Sequence, residues 1–304
     1  MTIKNRRKTK MKRSKEDLIF DIVTYAICIL LLLIALYPMY FVIIASFSDP
    51  NAINAGKVDF YPIGFSLKGY EALFQYKELW LGYRNTIFYA VLGTLLSLAV
   101  NLPAGYALSR SNLYGKKYLN VFFLIPMYFG GGLVPAFLNI KQLGLYDTIW
   151  ALVLPAAASI YYIIVSRTFF QTSIPVELWD AAQVDGMGTI GYFTKIVLPL
   201  SKAIIAVVAL WSAVAHWNSY FSAMIYLSPR NADLRPLQLI LRSILLNSQT
   251  ASTMLTGTAA YEARELSELI KYSAIIISSL PVMCIYPFVQ KHFNKGVMIG
   301  SLKG

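Results

Sequence analysis

Ser173-Ile174-Pro175-Val176-Glu177-Leu178-Trp179-Asp180-Ala181-Ala182-Gln183-Val184-Asp185-Gly186 is a polar island between two long apolar runs. It begins like a helix, since Ser173 is a capping residue type and Pro175 suits a first turn. Leu178, Ala181 and Ala182 make a small apolar face, while Glu177, Asp180 and Val184 stand three and four residues apart. Asp185-Gly186 ends the helix, because glycine takes a left-handed cap freely. A second short helix is expected from about Thr189 to Val197, meeting Pro199. Together they predict a helix–turn–helix lying on a membrane surface, with residues small enough to let another protein approach closely.

Outward from this loop the chain is mostly apolar. It has 304 residues, of which 57% are hydrophobic and only 14% charged. That charge is too sparse to cover a soluble domain. Six stretches approach the ~20 apolar residues that cross a bilayer: Asp21–Phe47, Asn85–Leu108, Tyr118–Ile140, Thr148–Phe170, Ile196–Leu227 and Ile270–Val289. The expected architecture is therefore all-α, a polytopic membrane protein with six transmembrane helices. Its parts are a basic tail over 1–17, a membrane domain over 18–290 that contains the loop 171–199, and a C-terminal tail over 291–304. Pro38, Pro103, Pro126, Pro135, Pro155 and Pro281 fall within the spans, where neighbouring helices satisfy the freed carbonyls. Gly130, Gly131 and Gly132 predict a kink in the third span, read either as close helix packing or as a point that flexes.

The net charge of +12 is unevenly placed. Lys4, Arg6, Arg7, Lys8, Lys10, Lys12, Arg13 and Lys15 precede the first apolar run, the pattern of a positive-inside anchor rather than of a nucleic-acid groove. That run is longer than a signal-peptide core of ~7–15 residues, so it reads as an uncleaved span. Arg110, Lys116 and Lys117 then lie on the same side as the loop 171–195, and the loops facing the other way mix signs. Both termini are expected in the cytoplasm. Cys28 and Cys284 sit in apolar runs and read as packing residues.

Several chemistries are missing. No carboxylate lies deep in a span, as a proton relay requires. No glycine-rich loop ends in Lys followed by Ser or Thr, so no phosphate cradle is present. No paired acids, nucleophile–base set or metal spacing stands out, and no cofactor is expected. A secondary sugar porter is disfavoured by the missing acids. A membrane enzyme acting on lipid-linked sugars would need a catalytic cluster, for which only Glu262, Glu265 and Glu268 are available, and they read as a solvated helix face.

Asp180-Ala181-Ala182, Gly186 and Ile196-Val197-Leu198-Pro199 resemble the signature loop of binding-protein-dependent ABC importer permeases, with the spacing intact and Asp180 replacing the usual Glu. Gly105-Tyr106-Ala107-Leu108-Ser109-Arg110, Leu143-Gly144-Leu145-Tyr146-Asp147-Thr148 and Trp217-Asn218 resemble its carbohydrate branch, the maltose-type sugar permeases. Phe129-Gly130-Gly131-Gly132-Leu133-Val134-Pro135 is similar to the complex-oligosaccharide subgroup. The resemblance implies a type I ABC importer transmembrane domain in the bacterial cytoplasmic membrane, translocating sugars and carrying no ATPase of its own. The implied partners are a second homologous permease, two ATP-binding cassette subunits, an extracellular or periplasmic sugar-binding protein and membrane lipid. The ATPase-coupling residues implied are Asp180, Ala181, Ala182, Gly186, Ile196, Leu198 and Pro199.

The sugar path has a separate set of candidates in the fifth span. Ser212, His216 and Ser219 share one helical face, and Trp217 and Asn218 point elsewhere. They cannot all line one narrow cavity without a local break. One reading has Ser212, His216 and Ser219 bonded to a neighbouring helix. The other has sugar hydroxyls meeting this stripe, or Asn218, on the way through.

Overall fold

A computed structural model describes residues 15–254 and 257–301, and among these every regular element is helical. The chain forms two compact units, Met1–Leu67 and Lys68–Gly304.

In the first unit, α1 (Lys15–Ser46) is 32 residues long. Apolar side chains from Leu18 to Ile43 stand exposed along it, as expected of a helix whose solvent is lipid. The short α2 (Pro50–Asn54) follows a turn capped by Asp49, whose carboxylate accepts the backbone N–H groups of Asn51 and Ala52. Ile44, Ala52 and Val58 close a small core behind it.

In the second unit, α3 (Lys68–Gln75) leads into α4 (Lys77–Ser109), about 50 Å long at 1.5 Å per residue. Next come α5 (Lys116–Tyr128), α6 (Leu133–Gln142), α7 (Trp150–Val153), α8 (Ile160–Ser173), α9 (Glu177–Val184) and α10 (Thr189–Tyr192). A π-helical turn over Phe193–Val197 and α11 (Leu198–Leu200) lead to α12 (Lys202–Trp217) and α13 (Phe221–Tyr226). A 3₁₀ turn over Pro229–Leu234 precedes α14 (Leu237–Met254) and α15 (Gly257–Ser301). The segment 291–301, expected as a tail, continues α15. The basic run up to Arg13 and the last three residues lie outside the described residues.

The apolar stretches become spans of three kinds. Lys15–Ser46, Lys77–Ser109 and Tyr261–Ile285 are single helices long and apolar enough to cross a membrane. Two others are bent pairs: α5 and α6 meet at 112°, and Thr189–Leu200 meets Lys202–Trp217 at 82°. The stretch expected over Thr148–Phe170 is split into α7 and α8, with residues 154–159 outside any helix. The stretch expected over Ile196–Leu227 leaves its helix at Trp217. The third span breaks at Gly130 and Gly131, between α5 and α6, and among the described residues nothing lies within 4 Å of a Cβ built there. Cys28 and Cys284 are free and exposed rather than packed inside the chain.

The centre of the second unit is α4, packed against α8 and α12. Two glycines set the distance of approach. A methyl at Gly105 would lie 2.7 Å from Ser166 Cβ, and one at Gly93 only 2.1 Å from His216 Nε2. Small residues of this kind let membrane helices gain dispersion contact that lipid would otherwise supply. Asn101 is fully buried and bridges the broken fourth stretch. Its amide donates to Ala157 O (2.8 Å) and Ser97 O (2.7 Å), and its oxygen accepts Ser159 N–H (2.8 Å). At membrane depth a non-helical backbone needs such partners, because lipid offers none.

Candidate functional site

The loop between α8 and α12 folds as the predicted helix–turn–helix, with one local difference. Ser173 is the last residue of α8, and α9 starts later, behind Val176, with no side-chain cap. Pro175 lies before the helix rather than in its first turn, since Ile174 is already extended. Glu177 and Asp180 occupy the first turn of α9, where carboxylates complement the helix dipole.

The C-terminal end of α9 is closed by hydrogen bonds around a left-handed Gly186 (φ +72°). Met187 N–H reaches Ala182 O (2.9 Å), and Gly186 N–H reaches Gln183 O (3.0 Å). This is a Schellman turn, with Met187 and Ala182 joining the same apolar cluster as its hydrophobic contact. Ala182 is buried, whereas Asp180, Ala181, Gly186 and Pro199 are exposed, and Ile196 and Leu198 are half-buried in that cluster. The outer surface of the loop carries Val184 (89% exposed) and Ile190 (80%).

The rear of the loop is locked to the end of α4. The Arg110 guanidinium lies 4.5 Å from the Trp179 ring centroid, 5.8 Å from Tyr106 and 6.0 Å from Tyr192. Trp179 and Tyr192 meet edge-on at 5.0 Å, and Tyr192 has no exposed surface. One cation thus holds α4, α9 and α10 together. The sequence marks Arg110 as an inside-loop charge and as the end of the Gly105–Arg110 motif, without pointing to Trp179 or Tyr192 as its partners. The spacing of Tyr106 and Arg110, four apart on one helix, was the available signal.

Pro199 also shapes this region. A proline ring crowds the carbonyl four residues before it. Here the preceding turn is π-helical, and Leu198 N–H bonds to Phe193 O, five residues back. Wide turns of this kind recur at functional sites.

The candidate sugar-path residues separate into two groups. Ser212, His216 and Trp217 are buried within the chain. His216 fills the Gly93 notch of α4, and its Nε2 has no hydrogen-bond partner. Trp217 Nε1 donates to Ser278 O of α15 (2.8 Å). Asn218 is exposed where α12 stops, and Ser219 Oγ lies 2.8 Å from Ser222 Oγ beyond the break. The break at Asn218 is what lets the two groups face different surroundings.

The end of α4 away from the loop is built on hydrogen bonds. Asn85 Nδ2 donates to Asp233 O (2.6 Å) and Arg235 O (3.1 Å), Tyr89 Oη to Leu234 O (2.8 Å), and Leu237 N–H to Thr86 Oγ1 (2.8 Å). Nearby, Asp147 accepts the Ser228 N–H (2.8 Å) and hydroxyl (2.7 Å). Those two bonds, the backbone one first, hold the Asp147 carboxyl below its usual range.

Residues 79–299 match the model of the family described as "Binding-protein-dependent transport system inner membrane component". The matched region spans the loop around Gly186 and all but the first two residues of α4. The chain belongs to that family of importer permeases. It is 37% identical over 290 residues to the polygalacturonan/rhamnogalacturonan transport system permease protein YtcP of Bacillus subtilis, covering 94% of this chain and 99% of that one. It is 35% identical to Protein LplC of the same organism, over 97% and 98% of the two chains. A chain in the crystal structure of a bacterial ABC transporter involved in the import of the acidic polysaccharide alginate superposes with a TM-score of 0.81. It has 31% identity and covers 93% and 99% of the two chains. The permease is thus an all-helical, multi-pass ABC importer membrane domain of type I, a component of the cytoplasmic membrane.

Proposed function

We propose that this permease carries oligosaccharides into the cell, driven by ATP hydrolysis on two separate cassette subunits. It works beside a second, similar permease and receives sugar from an external binding protein. It hydrolyses no ATP itself, and both termini lie in the cytoplasm. The acidic glycans in the names of two similar proteins favour an oligosaccharide that bears carboxylates.

The observation that carries this reading is the loop around Gly186. Its Schellman turn displays Val184 and Ile190, its Ala181 permits close approach, and its rear is tied by Arg110 to the long central helix. A face of this build suits docking on an ATPase, and the tie suits passing the motion on. Closure of two ATPases around ATP would draw paired loops together and bias the permease pair toward the outward-facing state, which is differential affinity for one of two packings. Asp180 supplies a polar contact beside the docking surface, while Ile196, Leu198 and Pro199 fix the second helix to the membrane. Asn218 and Ser219 are the path residues free to meet sugar in this conformation. Ser212, His216 and Trp217 position the helix that carries them.

The test is Gly186→Arg. At φ +72° an arginine is strained, and its side chain enters the docking face. ATP-dependent uptake should fall to background while the amount of protein in the membrane holds. Normal uptake would refute the docking role, and gradient-driven uptake without ATP would support a secondary porter instead. Tags at Met1 or Gly304 that react with impermeant reagent in intact cells would overturn the orientation.

A further inference from the structure

We propose that Asn218, Ser219, Tyr220, Ser222 and Arg242 form a subsite for an acidic sugar unit, with Arg242 reading its carboxylate. The proposal rests on the reading that this permease carries an acidic oligosaccharide, and it assigns that charge a residue.

Position comes first. The α12 helix stops at Trp217, whose ring lies 6.1 Å from Tyr83, and α14 starts on Thr86. Both contacts fall in the first third of α4, so the cluster sits at the end of the bundle remote from the Gly186 loop. In the proposed orientation this is the side from which sugar arrives.

The state of Arg242 comes second. It is exposed, its guanidinium lies 5.6 Å from the centroid of the Tyr220 ring, and Nη1 is 3.1 Å from Met224 Sδ. No carboxylate pairs with it among the described residues. Two outer-loop acids have partners of their own, Asp147 in Ser228 and Glu268 in Lys271. A thioether is a weak acceptor, so most of the five guanidinium donors stay available. The Tyr220 ring, 5.6 Å away, attracts the guanidinium without neutralising it.

The chemistry of the cluster then fits one ligand class. A planar fork matches a carboxylate through two parallel hydrogen bonds. The Asn218 amide and the Ser219–Ser222 hydroxyl pair offer both donors and acceptors for ring hydroxyls. A uronic-acid unit presents a carboxylate and hydroxyls together on one ring. A neutral sugar would offer the guanidinium hydroxyl acceptors only, without the charge-assisted pair.

The experiment uses the assembled transporter, purified through a tag on this permease with its own binding protein and placed in proteoliposomes. The probes are trigalacturonate and its fully methyl-esterified form, which differ in charge and share a backbone. Wild type should take up trigalacturonate with ATP. Arg242→Gln should raise the KM for trigalacturonate about tenfold or more, the size expected for a lost charge-assisted pair. The KM for the ester should rise far less than that for the acid, and Arg242→Lys should fall between. An unchanged KM in Arg242→Gln overturns the subsite, as does an equal loss with both probes at normal protein abundance. A wild-type transporter that moves maltotriose but neither galacturonate probe overturns the acidic-substrate reading itself, before any variant is made.

Discussion

At its Ser109 end, α4 meets the loop through a guanidinium and three aromatic rings; at its Lys77 end, it meets the segment 233–237 through Asn85, Thr86 and Tyr89. The two chemistries answer different needs. The segment 233–237 is irregular backbone beside a membrane helix, so its carbonyls and N–H groups require named partners. The loop satisfies its own backbone by being helical and by its Schellman turn. It needs only to be held as one body, which ring packing and a cation do without fixing every dihedral. The hydrogen-bonded end specifies a shape, and in the proposed function the loop end passes on a movement.

Three experiments break or sharpen this contrast, and the first is expected to be the most damaging. Asn101→Leu applies the hydrogen-bond logic at mid-helix. It strands Ala157 O and Ser159 N–H in the break of the fourth stretch, at a cost of about 1–3 kcal/mol for each group. The protein should melt earlier in detergent and accumulate poorly in the membrane. An unchanged melting curve would show that the break is held by something other than Asn101.

Arg110→Ala is expected to do less to stability and more to coupling. A cation over aromatic rings contributes about 0.5–2 kcal/mol. Protein abundance should hold, while sugar taken up per ATP hydrolysed falls several-fold, with Arg110→Lys retaining part of it. Equal losses in abundance and uptake would reduce Arg110 to a packing residue.

The smallest effect concerns Asp147. Its folded carboxyl lies below the ordinary value of 3.8, so its bonds to Ser228 stabilise the folded state fully above that value and are lost as pH falls through the lower folded one. Below pH 3.8 the melting temperature of the detergent-purified protein should drop, and Asp147→Asn should flatten part of that drop. Parallel curves for the two proteins would mean that the Ser228 contact carries no pH dependence.

Much of the membrane architecture was legible because its signals are local. Apolar runs mark stretches that lipid tolerates, glycine marks the one left-handed position at the end of α9, and the loop signature lies within twenty residues. What those runs become was not legible. The Thr148–Phe170 stretch reads as one span, but it breaks where Asn101, some fifty residues earlier, can supply the missing partners. Ser212 and His216 can be read from the sequence as packing or as lining a path, and Gly93 on another helix decides where the imidazole goes. Arg110 was visible as a charge near the membrane. Only the fold shows that Trp179 and Tyr192 surround it.

The sequence by itself determined the solvent of each segment, the helical class, the turn at Gly186 and the family, because each follows from residue type at short spacing. The tertiary structure decided which breaks are satisfied, which polar residues are buried and which cation ties the loop to the bundle. Those outcomes depend on pairs of residues fifty to a hundred and fifty positions apart, and no local pattern carries the distance between them.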